Sequence, residues 1–422
     1  MSPTSIYLHI PFCKHRCAYC DFNTYAGQES LIPQYVDSLI REIEGVGESA
    51  NQRVSACSNY QLPITTVFFG GGTPSLLSAP QFDSILRALR SAFALTADAE
   101  ISIEANPGTL SLQKLDEIRK TGINRISLGI QSANTEELRM LERIHDFFTV
   151  IESVSAVRKA GFDNLNLDLI YGLPEQTLSS WKTTLSRVID LHPEHLSAYA
   201  LTLEHGTPFG KWSSKGLLPI PDPDLAAEMY EYAEEFLKAN GYVHYEISNW
   251  GLDGGPQTID RTVPSTVYRP PSFACKHNLQ YWRSLPYLGF GAGAHGYADG
   301  YRYSNVLRIK TYIERMSNEL RGTSYEFPLS PAVVNQHRQT RQDDISDYMI
   351  NNLRLTQAGV AESDFRARFG MGLLEVFGKE IEELIRLGLL ESKTSEVPNT
   401  SEVYRLTKRG RLLGNQVFVK FV

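Results

Sequence analysis

The 422-residue chain lacks a long run of one charge sign, a low-complexity tract and any apolar stretch of the roughly 18 residues that cross a bilayer. The last absence leaves at most peripheral contact with a membrane. Lys and Arg, 41 in all, are outnumbered by 48 Asp and Glu, giving a formal charge of −7 and no basic face for a nucleic acid. The opening MSPTSIYLHIPF has neither the charged region nor the long apolar region of a secretory signal. Cysteine is scarce, and the total of five is odd, which argues against a disulfide framework and suits a reducing compartment. Together these absences predict a cytoplasmic protein. What the chain does have is 42% apolar residues over a length that accommodates two domains and a small third.

Three of the five cysteines fall within eight residues. Ile6 to Ile10 reads as a short buried strand ended by Pro11, so Cys13, Cys17 and Cys20, spaced C-x3-C-x2-C, sit on the loop that leaves it. Counting ligands narrows what this trio can hold. A structural zinc ion wants four closed ligands; His9 or His15 would complete a Cys3His set, but no second ligand pair lies nearby. A ferredoxin cube takes four cysteines, and the fourth is missing. A four-iron cluster on three cysteines leaves one iron open to a ligand from outside the protein. Cys57 lies in a polar stretch and reads as a bystander, while Cys275 reads as a buried structural thiol.

Downstream, helical spacing over 33–46 gives way to a polar connection over 48–63. Short apolar strands then begin near 66, 100, 125, 164 and 195, about 32 residues apart, the size of a βα unit. Helical patterns separate them at 79–93, 112–121, 136–161 (with a break) and 179–191. With the first strand these make six βα units, which form a parallel sheet with right-handed crossovers. Six are too few to close an eight-stranded barrel. The sequence therefore predicts an α/β fold over residues 1–210, an open partial (β/α)6 TIM-like barrel. Functional loops of such a barrel lie at the C-terminal strand ends, where the cysteines, Gly71, Gly72, Thr73, Glu104, Gln131 and Asp168 all fall.

The C-x3-C-x2-C spacing, with Tyr19 before the last cysteine, resembles the signature of radical S-adenosylmethionine (SAM) proteins. That resemblance implies a [4Fe–4S] cluster on Cys13, Cys17 and Cys20, with SAM chelating the fourth iron and cleaved by one electron to an adenosyl radical. Tyr7-x-His9-Ile10-Pro11-Phe12-Cys13, Gly70–Pro74, Gly129-Ile130-Gln131 and Asp168–Pro174 narrow the match. Over about residues 5–310 the chain resembles the family of oxygen-independent coproporphyrinogen III oxidase. Carried over residue by residue, Tyr7, Gly71, Gly72, Thr73, Glu104, Gln131, Arg143 and Asp168 line the SAM site, with Phe22 counted among the cofactor contacts. The glycines admit close backbone approach to the methionyl amino group. Glu104 is suited to accept from ribose hydroxyls, and Arg143 offers a fork to the SAM carboxylate. Asp168 interrupts an apolar strand and needs a polar partner there.

Two features depart from the oxidase. Its fourth cysteine, in C-x3-C-x2-C-x-C, is replaced by Phe22, and Cys13 stands close to the chain start without the oxidase's N-terminal extension. Both point to the related HemW-type heme chaperones. His277-Asn278-Leu279-Gln280-Tyr281-Trp282, HNxxYW, resembles the heme-binding motif of that family. It implies His277 as a heme ligand, with Tyr281 and Trp282 packed on the porphyrin. The resemblance implies a carrier that binds heme, SAM and the cluster and hands heme to respiratory heme proteins, as a monomer or a homodimer. Porphyrinogen decarboxylation, radical SAM methyl transfer and a redox-inactive zinc protein are the alternatives.

Residues 211–325 read as an α+β extension carrying the HNxxYW segment, with a helix over 224–240 and a strand over 242–247. A Gly/Pro-rich insertion over 251–272 runs into that segment and reads as a gate for it. GFGAGAHG, 289–296, reads as close-packed backbone, with His295 a second-choice contact for heme or SAM. Residues 326–422 read as a winged-helix-like helical domain: helices at 343–353, 362–368 and 373–387, paired strands at 388–391 and 404–407, and a last helix over 407–422. Only Lys408, Arg409 and Arg411 cluster there, which favours an accessory role over DNA binding.

Overall fold

The computed structural model describes residues 2–54, 62–254, 269–317, 325–393 and 402–422. Cys57 and most of the predicted gate, from 255 to 268, lie outside them. The chain packs into two compact units, one of Met1–Met229 with Leu285–Arg338, the other of Tyr230–Ser284 with Gln339–Val422. The units thus follow packing rather than chain order, since residues 285–338 return to the first.

In the first unit six strands lie side by side in chain order, each parallel to its neighbours: β1 (Ser5–Ile10), β2 (Pro63–Gly71), β3 (Ala94–Ala105), β4 (Arg125–Gln131), β5 (Leu165–Tyr171) and β6 (His195–Ala200). The crossovers are α1 (Ile32–Val54), α2 (Ala79–Ala92), α3 (Leu112–Lys120), the pair α4 (Thr135–Met140) and α5 (Phe147–Lys159), and α6 (Leu178–Ile189). The strand order is linear, so the predicted barrel is open. Local chemistry starts the helices where the chain turns back. Gln81 accepts from Ser78 N at 2.8 Å before α2, Asp146 from Thr149 N at 2.8 Å before α5, and Thr177 from Ser180 N at 3.1 Å before α6.

Alternation along the strands sorts the two faces of the sheet. Phe69 meets Phe82 of α2, and Tyr171 meets Trp181 of α6, with ring centroids 5.2 and 5.4 Å apart, so the odd-numbered residues of β2 and β5 face the helices. The opposite face carries polar groups: Tyr7 and His9, Glu104, Arg125 and Ser127, Asn166 and Asp168, His195 and Ser197. This inward polar set is what gives the barrel a site rather than a solid apolar core.

Helix α1 runs past position 46 into the stretch read as a connection. Leu39, Ile43, Val46 and Ala50 are buried at spacings of four, three and four, so small residues carry the apolar stripe where hydropathy fades. The returning segment adds Tyr287–Phe290 parallel to β1, then His295–Ala298, Tyr301–Asn305 and Val333–Arg338 as an antiparallel meander. GFGAGAHG is therefore strand, turn and strand. The Val333–Arg338 strand was not legible in the sequence, because its alternation is lost after Val334.

One buried carboxylate fastens that return. Glu42 on α1 accepts from Gly291 N at 2.8 Å, Asn305 Nδ2 at 2.8 Å, Tyr312 OH at 2.7 Å and Ser330 Oγ at 2.7 Å. Beside it Tyr35 accepts from Ala292 N at 2.8 Å and donates to the His9 carbonyl at 2.7 Å. Burial raises the Glu42 pKa, against the four hydrogen bonds that favour its charged form.

The second unit holds the hairpin Tyr242–Glu246 and Asn249–Leu252, the helix Lys276–Trp282, and the helices Arg341–Asn352, Glu362–Phe369 and Leu373–Arg386. A three-stranded antiparallel wing, ordered Val360–Ala361, Val403–Leu406, Leu390–Lys393, completes it, which agrees with the winged-helix-like expectation. The predicted last helix is instead two short helices, Lys408–Leu412 and Gly414–Phe418, and a 3-10 turn, interrupted at Leu413. Among the described residues no helix is long and apolar enough to cross a membrane.

Replacing Glu42 by Ala would leave four donors without their acceptor in a dry interior, so we expect a loss of about 3 kcal/mol or more. Urea melts monitored by fluorescence should show a lower midpoint for Glu42→Ala and an intermediate one for Glu42→Gln; an unchanged midpoint would contradict the fastening role.

Candidate functional site

The C-terminal ends of β1 to β6 open into a cleft of about 410 Å³. Eleven of the predicted site residues line it: Cys13, Cys17, Cys20, Phe22, Gly71, Gly72, Thr73, Glu104, Gln131 and Asp168, with Arg143 reaching in from the turn between α4 and α5. Tyr7 is not at the surface of the cleft. Its hydroxyl lies 3.0 Å from His9 Nδ1 and it packs behind Glu104.

The cysteine loop is held by the glycine turn. Gly72 N donates to Ile10 O at 2.9 Å and Thr73 N to Phe12 O at 2.7 Å, which stitches the turn after β2 to the chain entering Cys13. A Cβ on Gly72 would stand 2.6 Å from Phe12 O, and one on Gly71, where φ is 110°, would stand 2.5 Å from the His9 ring. Only glycine fits either place. On the loop's other side His9 Nε2 meets the Asn23 carbonyl at 2.9 Å, so Nε2 carries the proton and Nδ1 accepts from Tyr7. Burial lowers the His9 pKa and keeps that ring neutral.

Each sulfur has a polar neighbour of its own. Thr73 Oγ1 donates to Cys13 Sγ at 3.6 Å, Thr24 Oγ1 lies 3.9 Å from Cys20 Sγ, and Arg143 Nη1 donates to Cys17 Sγ at 3.7 Å. Burial, and to a lesser degree the neighbouring thiols, raise the pKa of Cys13 and Cys20. Arg143 also reaches Tyr19 OH at 3.5 Å, Gly129 O at 2.7 Å and Asn106 Oδ1. It stands where the helical stretch over 136–161 breaks, after Glu142 at φ 53°, with its guanidinium turned toward Cys17. Asn106 was missed. It joins Arg143 to Thr73, donating to Thr73 Oγ1 at 2.9 Å, and its place just after Glu104 at a strand end was the available signal.

Glu104 on β3 and Asp168 on β5 face the cleft from either side of β4. Gly71 N donates to Glu104 Oε2 at 2.9 Å. Burial pushes the Glu104 pKa up to about 7, and the nearby Asp168 adds to the rise. Asp168 has the polar partners its strand position required: Ser127 Oγ and Asn166 Nδ2, both at 2.8 Å. Burial raises its pKa as well, against these hydrogen bonds. Gln131 ends β4 at φ 66°, a backbone conformation that costs energy in a residue with a side chain and is common at ligand sites. Phe22 lines the cleft with its ring 68% exposed.

In the second unit, His277 to Trp282 forms one short helix, Lys276–Trp282, with Cys275 buried at its start. His277 is 1% exposed, and its Nε2 lies 3.0 Å from Tyr281 OH across an edge-on ring contact. Trp282 packs with Tyr245, Ala274, Leu279 and Leu355, and the Arg354 guanidinium carbon stands 4.5 Å from its ring centroid. His295, the second choice, is exposed on its strand.

Comparison with known proteins matches residues 7–188 to the Radical SAM superfamily and residues 339–413 to the HemN C-terminal domain. The heme chaperone HemW of Lactococcus lactis is 35% identical, covering 100% of this chain and 97% of its own, and that of Bacillus subtilis is 34% identical, covering 99% of both. The chain belongs to the HemW family. HemW of Escherichia coli is similar at 32% identity over 100% of this chain and 99% of its own. Among solved structures, coproporphyrinogen III oxidase (HemN) from Escherichia coli, described as a radical SAM enzyme, superposes with a TM-score of 0.76 at 26% identity, over 100% of this chain and 90% of that one.

Radical SAM membership implies a [4Fe–4S] cluster and SAM, and the residues of this HemW-family cleft fit both. Three thiols share one cavity, each with a donor suited to a thiolate, as the cluster requires.

The raised Glu104 pKa gives a signed pH dependence. The native state keeps this proton up to about pH 7, whereas the unfolded chain releases it near 4.5. Stability from this group is therefore full below the unfolded value and is lost as pH rises through 7. Glu104→Gln removes the loss, on the order of 3 kcal/mol at most. The thermal midpoint of cofactor-free Glu104→Gln should exceed wild type more at pH 8 than at pH 5; equal differences at both would contradict it.

Proposed function

We propose that this HemW-family chain is a cytoplasmic heme carrier. It holds a [4Fe–4S] cluster on Cys13, Cys17 and Cys20 with SAM beside it, takes up heme at the HNxxYW segment and passes it to respiratory heme proteins. The observation that carries the reading is likeness to proteins named heme chaperones along the whole chain, at 32–35% identity. Phe22, standing where the oxidase pattern has its fourth cysteine, supports it.

Cys13, Cys17 and Cys20 would hold the cluster, which would supply one-electron reduction of SAM when bound. The chain's own residues do the rest. Thr73, Thr24 and Arg143 place donors on the three sulfurs and lower the cost of their negative charge. Glu104, held at Oε2 by Gly71 N, keeps its other oxygen for the ribose hydroxyls. Asp168, fixed by Ser127 and Asn166, keeps the cleft floor polar. Arg143 carries the positive charge that suits the SAM carboxylate. For His277 to reach heme iron, its contact with Tyr281 has to open and the ring has to leave its buried position. A second reading, oxidative decarboxylation of a porphyrinogen, has the TM-score of 0.76 to the oxidase in its favour.

Anaerobically reconstituted protein should contain about four iron and four sulfide and the Cys13→Ala/Cys17→Ala/Cys20→Ala variant almost none, measured by metal analysis and visible absorption. Heme titration followed at the Soret band should show weaker binding or an altered spectrum for His277→Ala. Unchanged binding would remove His277 as a ligand. The same reconstituted protein, given coproporphyrinogen III, SAM and a reductant, should form no protoporphyrinogen, and its formation would favour the second reading.

A further inference from the structure

The reading of the second unit as the heme-binding part leaves the porphyrin's two carboxylates without a partner. We infer that Arg354, together with the indole N–H of Trp282, is the seat of one heme propionate. This rests on the heme-carrier reading and adds to it a residue outside the HNxxYW segment.

The Arg354 guanidinium lies in an aromatic bracket, its carbon 4.5 Å from the Trp282 ring centroid and 5.7 Å from that of Phe418. Stacking occupies the faces of the guanidinium and leaves its N–H edge for an acceptor. No acceptor among the described residues takes that edge. Arg354 Nε is buried without a hydrogen-bond partner, and so is Trp282 Nε1 beside it. Buried N–H groups are nearly always paired, so two unpaired donors on side chains in contact call for an acceptor. The nearest acid does not resolve it. Glu246 is close enough for Arg354 to lower its pKa, yet its Oε1 accepts from Ser248 N at 3.1 Å and from Asn249 Nδ2, and its buried Oε2 hydrogen-bonds to neither Arg354 nor Trp282.

An acceptor for this pair has to be anionic, because it faces a guanidinium. It has to offer two oxygens in one plane to use the fork fully, and it has to belong to a ligand of this unit. A carboxylate meets all three conditions, and propionates are the only anionic side groups of heme. The stem of Arg354 is set by its packing against Trp282, so the motif's last residue acts here by holding the arginine as well as by covering a porphyrin.

The test compares hemin with hemin dimethyl ester, which lacks the carboxylates, on the full-length protein and on Arg354→Met, which keeps the length of the stem. Wild type should bind the ester about tenfold to a hundredfold more weakly than hemin, the effect of one charge-assisted pair. Arg354→Met should lose the same factor for hemin and almost none for the ester. The ester comparison on wild type needs no variant, and retained ester binding by Arg354→Met reports that it is folded. Equal hemin affinity in wild type and Arg354→Met, or equal affinity of wild type for hemin and ester, overturns the propionate seat alone. Failure of wild type to bind hemin at all overturns the heme-carrier reading and the seat with it.

Discussion

Two backbone hydrogen bonds, from Gly72 to Ile10 and from Thr73 to Phe12, set the position of everything in the cleft. They lock the turn after β2 onto the exit of β1, so that Cys13 leaves the sheet at a fixed height. The lock works because neither Gly71 nor Gly72 leaves room for a Cβ. Thr73 is then the residue that both completes the lock and donates to Cys13. From there the chain of contacts runs through Asn106 to Arg143 and on to Cys17. Backbone geometry at a glycine turn is thereby transmitted to two of the three sulfurs. The glycines serve the scaffold of the cluster loop at least as much as they serve approach to a ligand.

The sequence was legible where a motif and a period coincided. Strands with apolar runs, such as Thr66–Phe69 and Leu165–Ile170, and the capped helices that separate them give the six βα units directly. The site residues named from their strand-end positions, from Cys13 to Asp168, share one cleft for the same reason: in a parallel sheet the C-terminal ends all lie on one side. Three things were not legible. Glu42 looks like a solvent charge on an amphipathic helix, and only the return of residues 285–338 buries it. Asn106 and Ser127 are ordinary polar residues until their neighbours across the sheet are known. The burial of His277 could not be read from a hexapeptide, because Tyr281 one turn later satisfies its imidazole internally.

Buried charge is handled in two different ways in the first unit. Glu42 accepts four hydrogen bonds and fastens structure. Glu104 accepts one, from Gly71 N, and stands near Asp168 with its pKa pushed up to about 7. A carboxylate so poorly compensated is a cost in the empty protein that a ligand offering hydroxyl donors would lift. The same contrast separates scaffold from site elsewhere. Asp168 with its two donors is better satisfied than Glu104.

The second unit shows the same contrast between satisfied and unsatisfied groups. His277 is internally satisfied, and its exposure has to be bought by opening the Tyr281 contact, while Arg354 Nε and Trp282 Nε1 are unsatisfied as they stand. A ligand that anchors first through a carboxylate at Arg354 would relieve that deficit before any histidine moves. Its binding energy would then be available to open a helix of only seven residues, an element short enough to owe most of its stability to packing rather than to its own hydrogen bonds. On the proposed reading, the unpaired donors would therefore be met before the already satisfied His277.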